Sequence, residues 1–141
     1  MDAYDGHGFA YLTEGNAVAA ESMFLKATDL YPEHARSLVG LAEARHRQGS
    51  DPEARTALDQ ASRAVRALID NGRTTEAAIA TAFWHVVSGR QEDGLATLAN
   101  LLDEAPPGFA GWTIPLEPLL ASVRGTTAYQ KVLQRLAERA T

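Results

Sequence analysis

The sequence predicts an all-α chain, an α-α superhelix in which about three helix hairpins stack as a solenoid and a C-terminal cap closes the stack. Three observations predict it. A spaced set of residues recurs along the chain, glycines fall where each hairpin must turn, and small side chains fall where its two helices must cross. Gly15, Ala20, Phe24 and Ala27 return 34 residues later as Gly49, Ala54, Leu58 and Ala61, and again after a further 40 as Gly89, Gly94, Leu98 and Leu101. A repeat of this length is the signature of stacked supersecondary units, each too small to bury its own apolar face. The units span about 1–34, 35–74 and 75–108, with a connector and capping helices over 109–141, all within one domain covering 1–141.

Each unit reads as two helices of about 12 to 15 residues. In the first, Tyr4, Phe9, Tyr11 and Leu12 precede a break at Gly15-Asn16, and Ala19, Ala20, Met23, Phe24, Ala27 and Leu30 follow at helical spacing up to Tyr31-Pro32. Glycine ends a helix cheaply because it enters the left-handed region without a Cβ clash, and Gly49 and Gly89 supply the same stop. Asp51-Pro52 restarts the second hairpin as a capping carboxylate followed by a first-turn proline. The six extra residues of the second unit lengthen one helix through Ala57, Leu58, Ala61, Ala64, Val65, Leu68 and Ile69. That helix ends at Asn71-Gly72, and Thr74 or Thr75 caps the next. In the same frame Gly8 faces Ala20, Ala42 faces Ala54 and Ala82 faces Gly94, so each hairpin has one close crossing. Glycine within a helix costs about 1 kcal/mol relative to alanine, which makes Gly8 and Gly94 signs of a steric demand.

Beyond Pro106 the pattern changes. A proline- and glycine-rich connector from Pro106 to Pro115 precedes a short helix with Leu116, Leu119, Leu120 and Val123, a break at Gly125, and a last helix carrying Tyr129, Val132, Leu133 and Leu136. The polar face of that helix, with Gln130, Lys131, Gln134, Arg135, Glu138 and Arg139, is what a terminal cap turns to water.

The chain has 141 residues, no cysteine and a formal charge of −5. The length suffices for one core without staples. The missing thiols exclude disulfides, thiolate metal sites and a cysteine nucleophile. An acidic domain is a poor match for phosphate-rich partners, so nucleic acid is not expected. No basic leader followed by an apolar core, and no apolar run of about 18 residues, points to secretion or a membrane, and a cytoplasmic location is the expectation. Charge is uneven: acidic residues dominate positions 1–34, while Arg36, Arg45, Arg47, Arg55, Arg63 and Arg66 follow.

No chemistry-bearing constellation is expected to be catalytic. His7, His34, His46 and His85 form no i, i+4 pair, so neither a metal nor another cofactor is predicted. Gly6-His7-Gly8 follows no strand and is no phosphate loop, and Ser22, Ser37, Ser50, Ser62, Ser88 and Ser122 lack the strand-turn-helix setting of an activated serine. Trp84, beside Phe83 and Val87, and Trp112 in the connector read as packing residues before they read as interface anchors.

Taken together, Tyr4, Gly8, Tyr11, Ala20, Phe24, Ala27 and Pro32 resemble the consensus of the tetratricopeptide repeat family. The second unit departs by placing Arg45 at the second aromatic position, and the third by His85, Gly94 and Leu101. The tail, from Gly111-Trp112 through Tyr129-Gln130, resembles the segment that closes such arrays in larger bacterial proteins, which implies a piece of a longer bacterial chain. The resemblance implies no enzyme activity but a protein-binding module, receiving a peptide or protein segment in the concave groove lined by the first helix of each hairpin. On this sequence that groove takes Phe9, Leu12, Arg36, Val39, Glu43, Arg47, Ile79, Phe83 and Val86. Relatives that grip chaperone C-terminal carboxylates need lysine, asparagine and arginine where this chain has Asp5, Phe9, Gly40, Glu76 and Ala80, so that activity is not expected. The alternative is a structural unit that self-associates as a homodimer through the same apolar surface or the uncovered first helix.

Overall fold

Glycines at four turns set the frame of the molecule. The computed structural model describes residues 3–104 and 118–139. Among these it contains helices and no strand: α1 (Ala3–Thr13), α2 (Ala17–Leu30), α3 (Ala35–Arg47), α4 (Asp51–Asp70), α5 (Thr74–Val87), α6 (Gln91–Glu104), a 3-10 helix (Pro118–Val123) and α7 (Thr127–Arg139). Gly15, Gly49, Gly72 and Gly89 have φ of 80°, 77°, 76° and 86°. The residue after each donates its backbone N–H five positions back, Asn16 to Tyr11 at 2.8 Å and Ser50 to Arg45 at 2.9 Å, with Arg73 to Leu68 and Arg90 to His85 both at 2.8 Å. These are 6→1 bonds of the Schellman type, which satisfy a helix-end carbonyl and require a left-handed residue in between.

Helices pair as expected, α1 with α2, α3 with α4 and α5 with α6. The hairpins then stack through α2 against α3, α4 against α5, and α3 against α5. The core joins these layers at Phe24, which is fully buried. Its ring stands edge-on to Phe9, with centroids 4.8 Å apart and planes at 75°. A Cβ on Gly8 would lie 2.7 Å from the Phe24 ring, and one on Gly40 would lie 2.5 Å from it. The demand at Gly8 is therefore set most closely by Phe24, one turn beyond the Ala20 expected from the repeat frame. In the third hairpin the expected partner is the observed one: a Cβ on Gly94 would lie 2.6 Å from the Ala82 carbonyl oxygen.

Two expected caps are displaced by one residue. Ser50, not Asp51, precedes α4, and Asp51 Oδ1 lies 3.1 Å from His46 Nδ1 instead of capping the helix. Arg73 precedes α5, and Thr74 is already helical. At α2, by contrast, Asn16 Oδ1 accepts the Ala19 N–H at 3.1 Å, as an N-cap side chain should.

The lengthened helix of the second unit is α4, at 20 residues. The C-terminal element expected around Leu119 is a 3-10 helix whose Leu119, Leu120 and Val123 are buried in the main core, while Leu116, Trp112 and the connector fall outside the described residues. α7 packs on α6, and Tyr129, Val132 and Leu136 form its buried stripe.

Candidate functional site

Between α1 and α3 the fold buries a polar chain that is 32 residues apart in sequence. Asp5, in the first turn of α1, has no exposed surface. The Ser37 hydroxyl donates to its Oδ1 at 2.7 Å, and His34 Nδ1 lies 2.5 Å from the same hydroxyl oxygen. Because the single Ser37 proton goes to the carboxylate, His34 is the donor to Ser37. The order His34 to Ser37 to Asp5 is the reverse of a nucleophilic relay, in which serine gives its proton to histidine. With Ser37 also fully buried, these groups tie the start of α3 to the first turn of α1. The Arg36 guanidinium closes the group from outside, 3.8 Å from Asp5 Oδ2 and 4.0 Å above the Phe9 ring.

Arg45, the departure from the aromatic pattern, ties three helices. Its Nε donates to Glu21 on α2 at 3.0 Å and its Nη1 to the Glu53 carbonyl on α4 at 3.2 Å. Gln48 Nε2 reaches the other Glu21 oxygen at 3.0 Å. Partial burial on its own would raise the Glu21 carboxyl. The hydrogen bonds from Arg45 and Gln48 and the Arg45 charge together hold it below its ordinary value of 4.5. Arg47 makes an analogous link, donating to Glu43 at 2.9 Å and to the Leu12 carbonyl in the last turn of α1 at 2.8 Å.

The nine residues expected to line a groove fall into two groups. Phe9, Leu12, Val39, Phe83 and Val86 are buried in the core and present almost no surface to a partner. Arg36, Glu43, Arg47 and Ile79 keep accessible surface. Arg36, Ile79 and Phe83 are brought together at a pocket of about 300 Å³ between the starts of α3 and α5, with Glu33, His34, Leu68, Arg73 and Glu76. Glu43 and Val86 border a separate pocket of about 570 Å³, walled by Leu58 and Trp84.

A wider cleft of about 850 Å³ opens beside the first of these and shares Glu33, His34, Leu68, Arg73 and Glu76 with it. Its walls are the Leu30-Tyr31-Pro32 turn on one side and the far end of α4, including Ala64, Ala67 and Leu68, on the other. The extra turn of α4 thus builds one wall of the cleft. Leu30 and Tyr31 remain 59% and 58% exposed there, unusual for large apolar side chains. Sequence reading missed this cleft; the hydrophobic Leu30-Tyr31 pair at a turn was the available signal.

Trp84 is a packing residue with a polar tie: its indole N–H donates to the Leu58 carbonyl of α4 at 2.8 Å. His85, next along, meets Trp84 edge-on at 5.4 Å. Trp112 lies outside the described residues.

Among the described residues, no helix is long and apolar enough to cross a membrane, and no three His, Cys, Asp or Glu side chains are grouped as metal ligands. A family model described as tetratricopeptide repeat matches residues 11–67, from the second half of α1 through most of α4. No curated protein and no solved structure matches the chain.

Proposed function

From the match of residues 11–67 to the tetratricopeptide repeat family, we infer that this chain is a protein-binding scaffold whose partner segment seats between the turn that closes the first hairpin, the far end of α4 and the starts of α3 and α5. Repeats of this family mediate protein–protein contact and are typically not catalytic. The observation that carries the finer reading is the pair of adjoining pockets, with Glu33, His34, Leu68, Arg73 and Glu76 common to both, that reach from Leu30 and Tyr31 to Arg36 and Ile79. It offers apolar walls for an anchoring side chain, and Glu33, Arg73 and Glu76 supply polar groups for orientation. A peptide or short protein segment is the ligand that such an open, elongated cleft suits.

The test is capture from an extract of the cells that make the protein, comparing the native chain with Ile79→Asp and Tyr31→Asp. Proteins held by the native chain and released by both variants support the reading; retention unchanged in both variants removes the cleft from it.

One observation favours self-association instead. Val18 and Leu25, seven residues apart on α2 and so on one face, are 68% and 42% exposed. Sedimentation at micromolar concentration decides: a dimer dispersed by Val18→Glu supports pairing of two copies, and a monomer excludes it.

A further inference from the structure

The 3-10 helix Pro118–Val123 does more than cover the end of the stack. It touches α5 of the third hairpin and also α1 of the first, the element farthest from it in the chain. Leu119, Leu120 and Val123 are 2% exposed or less, and they belong to the same buried cluster as Phe9 and Leu12 of α1 and Phe83 of α5. Phe9, Leu12 and Phe83 are members of the groove that the family resemblance assigned to a ligand. All three are buried, Phe9 also against Phe24 and under Arg36, and this chain's own segment packs on the two helices that carry them. The segment is six residues of 3-10 geometry, a weakly hydrogen-bonded form that holds its place by side-chain burial.

We propose that the face shared by α1 and α5 is a binding site for a short apolar helical turn of the pattern Leu-Leu-x-x-Val, which Pro118–Val123 fills in cis and which a partner of that chemistry takes by displacing it. This rests on the reading of the chain as a protein-binding module and names what one of its surfaces selects. The partner presents two adjacent leucines and a valine four residues after the first. A site filled in cis binds an outside segment more weakly by the fraction of time it stands open. The 3-10 helix therefore sets a threshold that only a segment of matching shape, or one linked to a second contact at the cleft, overcomes.

A fluorescent peptide carrying residues 116–126 of this sequence is the probe, added to the full-length native chain and to Leu120→Ser. The variant should keep its helical circular dichroism and bind the peptide at least about ten-fold more tightly than the native chain does. Unlabelled peptide should compete, and saturating peptide should raise the variant's melting temperature toward the native value. A folded variant that binds no better than the native chain overturns the proposal. So does a variant that stays unfolded at saturating peptide, because the segment is then indivisible core. Hydrogen exchange on the native chain gives an independent reading: amides of residues 119–123 should exchange faster than those in the middle of α3, and equal protection overturns the proposal. The probe is this chain's own sequence, so its failure leaves the capture result at the Tyr31–Ile79 cleft standing, and failure of that capture leaves the peptide result standing.

Discussion

The ring of Phe24 occupies the space in which a side chain at Gly40 would have to stand, with only 2.5 Å between the ring edge and a Cβ built on that glycine. Phe24 is on α2 and Gly40 on α3, so this contact joins the first hairpin to the second. Because Phe24 is fully buried and edge-packed on Phe9, its ring has nowhere to retreat. Gly40→Ala gains about 1 kcal/mol of helix propensity, and overpacking costs about 1–3 kcal/mol. The expected net is a loss of stability, read as a lower midpoint in urea. Gly6→Ala, on the open side of α1 with nothing within 4 Å, should show the propensity gain alone.

Removing the Ser37 hydroxyl takes from the buried Asp5 carboxylate the donor that lies 2.7 Å from its Oδ1. Ser37→Ala should cost about 1–3 kcal/mol, the penalty for a buried acceptor left unsatisfied. The double variant Asp5→Asn, Ser37→Ala should lose less than the sum of the two single changes, because Asp5→Asn removes the carboxylate that Ser37→Ala leaves without a donor. Additive losses in denaturant titrations would contradict the geometry.

The Glu21 carboxyl is held below its ordinary 4.5 when folded. A depressed folded pKa means that the stabilisation is fully present above the unfolded value and is lost as pH falls through the folded one. The native chain should therefore lose stability on acidification below about pH 5, and Glu21→Gln should flatten that part of the profile. For a partly exposed pair with Arg45 the difference should be about 1 kcal/mol. Thermal melts of both proteins from pH 7 to pH 3 provide the comparison.

Trp84 ties α5 to α4 through one hydrogen bond to the Leu58 carbonyl. Trp84→Phe keeps most of the apolar contact and deletes the bond, so a loss of about 1 kcal/mol is expected. The change should be silent for partner capture at the Tyr31–Ile79 cleft, since Trp84 borders the separate pocket by Glu43 and Val86.

What could be read in the sequence was local. Gly15, Gly49 and Gly89 announced the hairpin turns because a left-handed residue is required wherever a 6→1 bond closes a helix. The lengthening of α4 was visible as a break in the repeat period. Its consequence was not: a longer helix becomes the wall of a cleft only once the Leu30-Tyr31 turn of the preceding hairpin lies opposite. The Asp5–Ser37 bond and the Arg45–Glu21 pair were hidden for the same reason, since 32 and 24 residues separate the partners and only stacking brings them together. Arg45 stood out merely as a departure from the aromatic pattern. The family resemblance placed Phe9, Leu12 and Phe83 in a partner's groove, whereas stacking buries all three in the core. Ser50 and Asp51 are both good capping types side by side, and spacing alone does not choose between them.

The central claim is that another protein meets this chain at the cleft between the Leu30-Tyr31 turn and the starts of α3 and α5. A photoreactive amino acid placed at Ile79, with matched placements at Ser62 on α4 and Val18 on α2, tests it in the cells that make the protein. The account predicts a cross-link from position 79 to a different protein, weak or no cross-linking from position 62, and no dimer through position 18. Cross-links confined to a second copy through position 18, or equal products from 62 and 79, would contradict it.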